Sequence, residues 1–356
     1  MRGHNFSAGP GTLPTAVMEA VRDELLEYPN TGASIIEISH RSPQYTAVAA
    51  SARALLRKLL GLGEEWHILF LQGGASTQFY QVAHNFLPSD GVATYVNTGN
   101  WSTKAIAEAR RYGGVQVAAS SEDAQFSYIP SEASWDVAEG SVYLHYTSNN
   151  TIFGTQYRSE PTVSMPLVCD ASSDFLSRPL DLDRYGLIYA GAQKNIGPAG
   201  ATVVLVRDDF LQTRRPDLPT MMDYGTHAAK LFNTPPVFAV YMVEKVLRWL
   251  DDLGGIPAIQ AVNQQKADLL YGRIDRTDFY SSTARADSRS LMNVTFRLPS
   301  PELDAQFIAE AKANDLLNLK GYRTVGGIRA SIYNACPLAA VEALVSFMDD
   351  FEAANG

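Results

Sequence analysis

The sequence predicts an α/β protein with a large domain, built on a mostly parallel sheet flanked by helices, and a smaller α+β domain at the C-terminal end. Two observations predict this. Through the first two hundred residues, short apolar runs alternate with longer amphipathic ones, the pattern of strands joined by helices that cover the sheet. In the last hundred residues the strands alternate apolar and polar positions, with helical patterns between and after them. A chain of 356 residues has room for about two domains. The large domain is placed at 15–250. The small domain is placed at 251–356, together with a turn-rich arm at 1–14, and the join lies near Leu250 to Pro257.

The elements follow in order. Val17 to Leu26 and Tyr45 to Leu60 have helical spacing. His67 to Leu71 reads as a buried strand, and Gly73-Gly74 then leads into a helix from about Thr77 to Phe86. Val92 to Val96 is a second strand, with a helix near Thr103 to Tyr112. Val142 to Tyr146, Pro166 to Cys169, Leu187 to Tyr189 and Ala201 to Val206 continue the strand series. In the small domain, Leu291 to Phe296 and Ile328 to Tyr333 alternate like half-buried strands.

Composition excludes several classes of function. The formal charge is −9 and the cations do not cluster in runs, so nucleic acid is not expected as a partner. No stretch approaches the roughly 18 consecutive apolar residues of a membrane helix, so no membrane is expected. Residues Met1 to Pro10 lack a basic end followed by an apolar run, and Cys169 and Cys336 suggest no disulfide framework. A cytoplasmic setting is expected. An acidic chain that binds an anionic metabolite must do so through a local group of cations.

In open α/β sheets, ligands bind beyond the carboxyl ends of the strands. The predicted strands are followed in turn by Gln72-Gly-Gly-Ala-Ser76, Asn97-Thr-Gly-Asn-Trp101, Asn149-Asn-Thr151, Asp170-Ala-Ser-Ser173 and Gly191-Ala-Gln-Lys-Asn195. Gly73-Gly74 opens a helix, where free N–H groups and the helix dipole can hold a phosphate, although a plain turn uses the same residues. No Walker-type Gly-Lys-Ser/Thr exists, and Gly61-Leu-Gly63-Glu-Glu-Trp66 lacks the third glycine of a dinucleotide fingerprint. Lys194 at a buried strand end suits a desolvated nucleophilic amine, or a lysine whose stem runs over apolar groups to water. Asp170 can cap a turn or face a protonated ring nitrogen, and Trp101 can sit in the core or stack on a planar ring. Arg329, Ser331 and Tyr333 share one face of their strand, which lets the Arg329 fork meet a carboxylate.

A phosphate loop, a Trp, an Asp and a Lys thus occur in this order on successive strand ends. Asp170 followed by Gly191-Ala-Gln-Lys-Asn-Ile-Gly-Pro-Ala-Gly200 resembles the signature of fold-type I pyridoxal-phosphate (PLP) enzymes, and of the phosphoserine aminotransferase family in particular. Asn5-Phe-Ser-Ala-Gly-Pro10, Ile38-Ser-His-Arg41, Gln72-Gly-Gly-Ala-Ser76, Phe232-Asn-Thr-Pro-Pro236 and Gly326-Gly-Ile-Arg-Ala-Ser-Ile-Tyr-Asn334 are similar to the same family.

The resemblance implies a PLP-dependent transaminase that moves an amino group between L-glutamate and a phosphorylated 2-oxo acid. It implies that Lys194 holds the cofactor covalently and shuttles a proton, and that Asp170 binds the pyridine nitrogen. Trp101 stacks on the ring and Thr151 hydrogen-bonds the ring hydroxyl oxygen. Ala75, Ser76 and Gln193 hold the cofactor phosphate. Asn233 and Thr234 reach that phosphate across a homodimer with shared active sites. His40, Arg41, Arg323 and Arg329 are the candidates for the substrate's anionic groups, Arg329 for the carboxylate. No metal is expected. Tyr322 departs from the family, where many members have His before the arginine. A cysteine desulfurase would need a mobile catalytic cysteine, whereas Cys169 is placed inside a strand. A non-catalytic relative would be expected to have lost the lysine or the aspartate.

Overall fold

The computed structural model describes residues 2–356. A seven-stranded sheet forms its centre. The strands are β1 (Trp66–Leu71), β2 (Val92–Asn97), β3 (Gly114–Ser120), β4 (Leu144–Thr147), β5 (Leu167–Asp170), β6 (Tyr185–Gly191) and β7 (Thr202–Arg207). Their order across the sheet is β1-β7-β6-β5-β4-β2-β3. β7 runs antiparallel to both its neighbours and the other six strands share one direction, so the sheet is mostly parallel. β3 is absent from the sequence reading. It is an edge strand with only Ala118 buried, so it lacks the continuous apolar run of the inner strands.

β5 and β6 are buried at every position, because helices cover both faces. Alternate residues feed separate cores, as a period of two requires. Ile188 and Ala190 pack with Leu55 and Leu56 of α2 (Pro43–Leu60), and with Val243 and Leu247 of α5 (Val237–Asp252). Leu187 and Tyr189 pack on the other face with Phe79 and Val82 of α3 (Gly74–Phe86), and with Ile106 of α4 (Asn100–Ala109). α1 (Thr15–Glu24) lies against α5 through Val17 and Val21.

α3 and α4 each begin three residues before the helix expected from sequence. In α3 the two glycines belong to the entry of the helix. Gly73 takes a left-handed φ of 90° as its cap, and a Cβ there would sit 1.8 Å from Thr77 Oγ1. In α4 the Ser102 hydroxyl ties off the start, accepting from the N–H groups of Thr98 and Gly99 at 3.0 Å. Trp101 therefore stands in the first helical turn.

A second core gathers the C-terminal elements. Its antiparallel sheet is β8 (Ser281–Ser282), β9 (Asn293–Arg297) and β10 (Ile328–Ser331). Val294, Phe296, Ile328 and Ala330 meet Leu270 of α6 (Gly255–Ile274), Phe307 of α7 (Pro301–Ala313) and Leu344 of α8 (Leu338–Asn355). The N-terminal arm joins this core: His4–Asn5 pairs with Leu316–Leu317, and Phe6 is fully buried. Ile256 and Ile259 of α6 pack into the first core and Ala267 and Leu270 into the second, so one helix is shared between them. Among the described residues, no helix is long and apolar enough to cross a membrane.

Candidate active site

The carboxyl ends of β1, β2, β4, β5 and β6 converge at the junction of the two cores, and a cleft of about 500 Å³ opens there. Gly74, Trp101, Thr151, Gln193 and Lys194 line it from the sheet side. Tyr322 and Arg329 line it from the second core, and Ala8 to Pro10 of the arm close one edge.

Lys194 follows β6 in a tight loop. Its Nζ donates to Thr151 Oγ1 at 2.7 Å and lies 5.7 Å from the centre of the Trp101 ring. Burial pulls the amine down to about 8; the Asp170 carboxylate opposes this shift, and the Arg329 charge adds to it. Asp170 ends β5, is almost fully buried, and accepts the Ser172 N–H at 3.0 Å. Burial raises its carboxyl, while Lys194 and Ser172 pull it back. Each charge thus offsets part of the cost of burying the other.

Arg329 is half-buried on β10, and its Nη1 donates to the Thr151 carbonyl at 3.2 Å. Ser331 and Tyr333 share its face, but that face is covered: Tyr333 donates to the Ala8 carbonyl at 2.7 Å and Ser331 accepts from Asn293 at 2.8 Å. Behind Asp170 lies a buried carboxylate that the sequence reading missed. Asp174 accepts from Gln156 Nε2 at 3.1 Å and from the Ser148 hydroxyl. Its only sequence signal was a second acid four residues after the first.

The residues fit a pyridoxal-phosphate group. The Trp101 indole Nε1 is buried without a hydrogen-bond partner, and the ring faces the cleft from the first turn of α4. Gly74, at φ 67°, has no atom within 4 Å of where a Cβ would stand, leaving an open cradle at the first turn of α3, where Ala75 and Ser76 also lie. The N–H groups of that turn have no partner within the helix.

The remaining candidates lie outside the cleft of their own chain. Arg323 is exposed in a turn closed by the Val325 and Gly326 N–H groups on the Tyr322 carbonyl, and Tyr322 faces the cleft in its place. His40 and Thr234 line a neighbouring hollow that meets the cleft at Ala199 and Gly200, and Arg41 is exposed beside His40. Asn233 donates to Gln72 Oε1 at 2.9 Å, in a further hollow beside the Gly73 turn.

Comparison with known proteins is consistent with this geometry. The family model of the class-V aminotransferases matches residues 4–344. The phosphoserine aminotransferase of Desulfotalea psychrophila is 51% identical over 356 residues, covering 99% of each chain. The chain belongs to the phosphoserine aminotransferase family. The solved phosphoserine aminotransferase of Bacillus circulans subsp. alkalophilus superposes with a TM-score of 0.97 at 47% identity, covering 100% of this chain and 99% of that one. The PLP-bound phosphoserine aminotransferase of Trichomonas vaginalis superposes with a TM-score of 0.94 at 38% identity, covering 98% and 100%. The fold is that of the fold-type I enzymes, and the protein is a transaminase whose cofactor is pyridoxal phosphate.

Proposed function

We propose that the enzyme catalyses reversible amino transfer from L-glutamate to 3-phosphohydroxypyruvate, giving O-phospho-L-serine and 2-oxoglutarate for serine biosynthesis in the cytoplasm. It also acts on the phosphorylated hydroxy-oxobutanoate on the route to pyridoxal phosphate. The observation that carries this reading is the Lys194 amine, set between the Trp101 ring and the Thr151 hydroxyl, with Asp170 on the adjacent strand and Arg329 in the same cleft.

The cofactor, when bound, would supply an electron-withdrawing ring for amino transfer. Asp170 would hold the ring nitrogen protonated, Trp101 would stack on the ring, and Thr151 would hydrogen-bond its hydroxyl oxygen. Ala75 and Ser76, through their N–H groups, and Gln193 would hold the phosphate. Lys194 would bind the cofactor, and its Nζ would carry the proton to and from the substrate Cα. Arg329 takes the substrate carboxylate in a two-pronged contact. Tyr322 offers a hydroxyl but no positive charge, so phosphate recognition falls to His40, Arg41 and Arg323.

These last cations require a homodimer with shared sites. His40 and Thr234 face one hollow at the edge of the cleft, where Ile36 stands 59% exposed, and Leu231, 49% exposed, lines a second hollow that also reaches His40. A second copy covering this surface would bury the apolar side chains. It would also bring the Asn233–Thr234 segment to the cofactor phosphate. The division into domains at 15–250 and 251–356, with the arm on the second, fits the two cores and the helix α6 that joins them.

The test is glutamate-dependent amino transfer to each of the two phosphorylated keto acids, with borohydride reduction of the loaded enzyme. Turnover of both, with the cofactor fixed on the peptide containing Lys194 and turnover lost in Lys194→Ala, is expected. Label on another lysine, or amino transfer only to unphosphorylated keto acids, would sink the reading.

A further inference from the structure

One contact ties the lysine loop to the strand that carries Arg329. Asn195, next to Lys194, is almost fully buried, and its Oδ1 accepts the Asn334 N–H at 3.0 Å. Asn334 lies five residues beyond Arg329 and is itself clamped. Its Nδ2 donates to the Leu176 carbonyl at 3.1 Å, and its Oδ1 accepts from Asn263 of α6 at 2.8 Å. One turn further along α6, the Lys266 ammonium is wholly buried without a carboxylate. It donates to the carbonyls of Ile332, Tyr333 and Cys336 at 2.9, 2.7 and 3.1 Å, using all three of its protons. The segment 332–336 is therefore fixed from α6, and it fixes Asn195 in turn. At its other end the same strand touches Thr151 through Arg329, and Thr151 accepts the Lys194 amine.

We propose that Asn195 and Asn334 are a positioning pair for Lys194, holding the lysine loop against the Arg329 strand so that the amine keeps its place beside Thr151. Neither touches the reacting atoms. The pair acts through the backbone of residue 194 and through the dryness it maintains there, since a loosened loop would admit water to the amine. The inference rests on Lys194 as the cofactor lysine and on Arg329 as the carboxylate ligand.

The test uses the loaded enzyme and the variants Asn195→Ala, Asn334→Ala and the double variant. Asn263→Ala serves as a milder version that removes only the far anchor. Val341→Ala, a truncation in the same C-terminal core, controls for simple destabilisation. The visible absorbance of the cofactor bound to the lysine is titrated with pH, and kcat and KM for glutamate are measured separately. Asn195→Ala, which removes the acceptor of the Asn334 N–H, and Asn334→Ala, which keeps that N–H but frees it from the Leu176 and Asn263 anchors, are each expected to move the titration midpoint by roughly half a unit and to lower kcat about three- to tenfold, the scale of one or two lost hydrogen bonds. KM should stay within about twofold because Arg329 is intact. The double variant should go no further than the worse single one, because the two residues act as one unit. If the variants lose thermal stability as Val341→Ala does but keep the parental midpoint and kcat, the pair is only structural and the inference is overturned. Additive effects in the double variant, or a rise in KM alone, overturn it as well. A parent enzyme without the visible band would instead remove the reading of Lys194, a different failure.

Discussion

Lys194 meets a hydroxyl, an aromatic face and a distant carboxylate, and its surroundings set when it carries a proton. Burial outweighs the Asp170 charge and brings the amine to about 8 from an ordinary 10.5. Capture of the cofactor aldehyde needs the neutral amine. In protein stripped of cofactor, the rate of covalent reloading should therefore climb with pH until about 8 and then level off. A solvated lysine would go on gaining until about 10.5. Mixing stripped protein with cofactor across this range and following the return of visible absorbance reads the midpoint directly. A rate still rising at pH 10 would show that the amine is wetter than its contacts imply. The same residues show what sequence reveals about a site. Lys194, Asp170, Trp101 and Thr151 stood out because each follows a strand, and strand ends are where an α/β sheet presents its chemistry. Asn195 and Asn334 did not, since an asparagine beside a turn reads as turn chemistry until its partner is seen.

The elements were legible to differing degrees, for physical reasons. Inner strands such as β5 and β6 announce themselves as unbroken apolar runs because both their faces are covered. The reversed direction of β7 leaves no such trace, since an apolar strand looks the same whichever way it runs. α6 was harder. Asn263, Lys266, Leu270 and Arg273 recur at helical spacing and all are buried, yet three of the four are polar, so the face reads as solvated. Lys266 is the clearest case, and its cost can be tested. Replacing it with Met keeps the bulk but leaves three carbonyls without their donor. Lys266→Met should lose roughly 2–5 kcal/mol of stability by denaturant titration near pH 7. The pH dependence has a definite sign. Burial lowers this amine to about 8 in the folded chain, below the 10.5 of an unfolded lysine. Between those values the unfolded chain binds more protons, so the lysine's contribution raises stability as pH rises. The gap between parent and variant should widen from pH 8 to 10.5. A gap that closes over this window would mean that the ammonium is stabilised where it sits.

At the scale of the whole molecule, the proposed reaction asks a chain of net charge −9 to bind substrates that carry two anionic groups. Within one chain the cleft offers Arg329 and Lys194, while Arg323 is exposed and His40 faces an adjoining hollow. Sequence identified these cations by type but could not place them; in the proposed homodimer their place depends on a surface that a second copy would complete. The shared-site arrangement makes a quantitative prediction. One variant, Lys194→Ala, lacks the amine. Another, Asn233→Ala with Thr234→Ala, would lack the phosphate contacts proposed to reach across the dimer. Each alone should be nearly inactive. After the two are dissociated, mixed in equal amounts and reassociated, about half of the dimers are heterodimers. Each heterodimer has one site carrying both defects and one carrying neither. Activity should therefore return to about a quarter of the parental value, with the parental KM. If Asn233 and Thr234 served the site of their own chain, both sites of the heterodimer would stay defective and mixing would restore nothing. A fully active monomer in solution would exclude shared sites altogether. It would leave His40 and Arg41 without a route to the substrate phosphate.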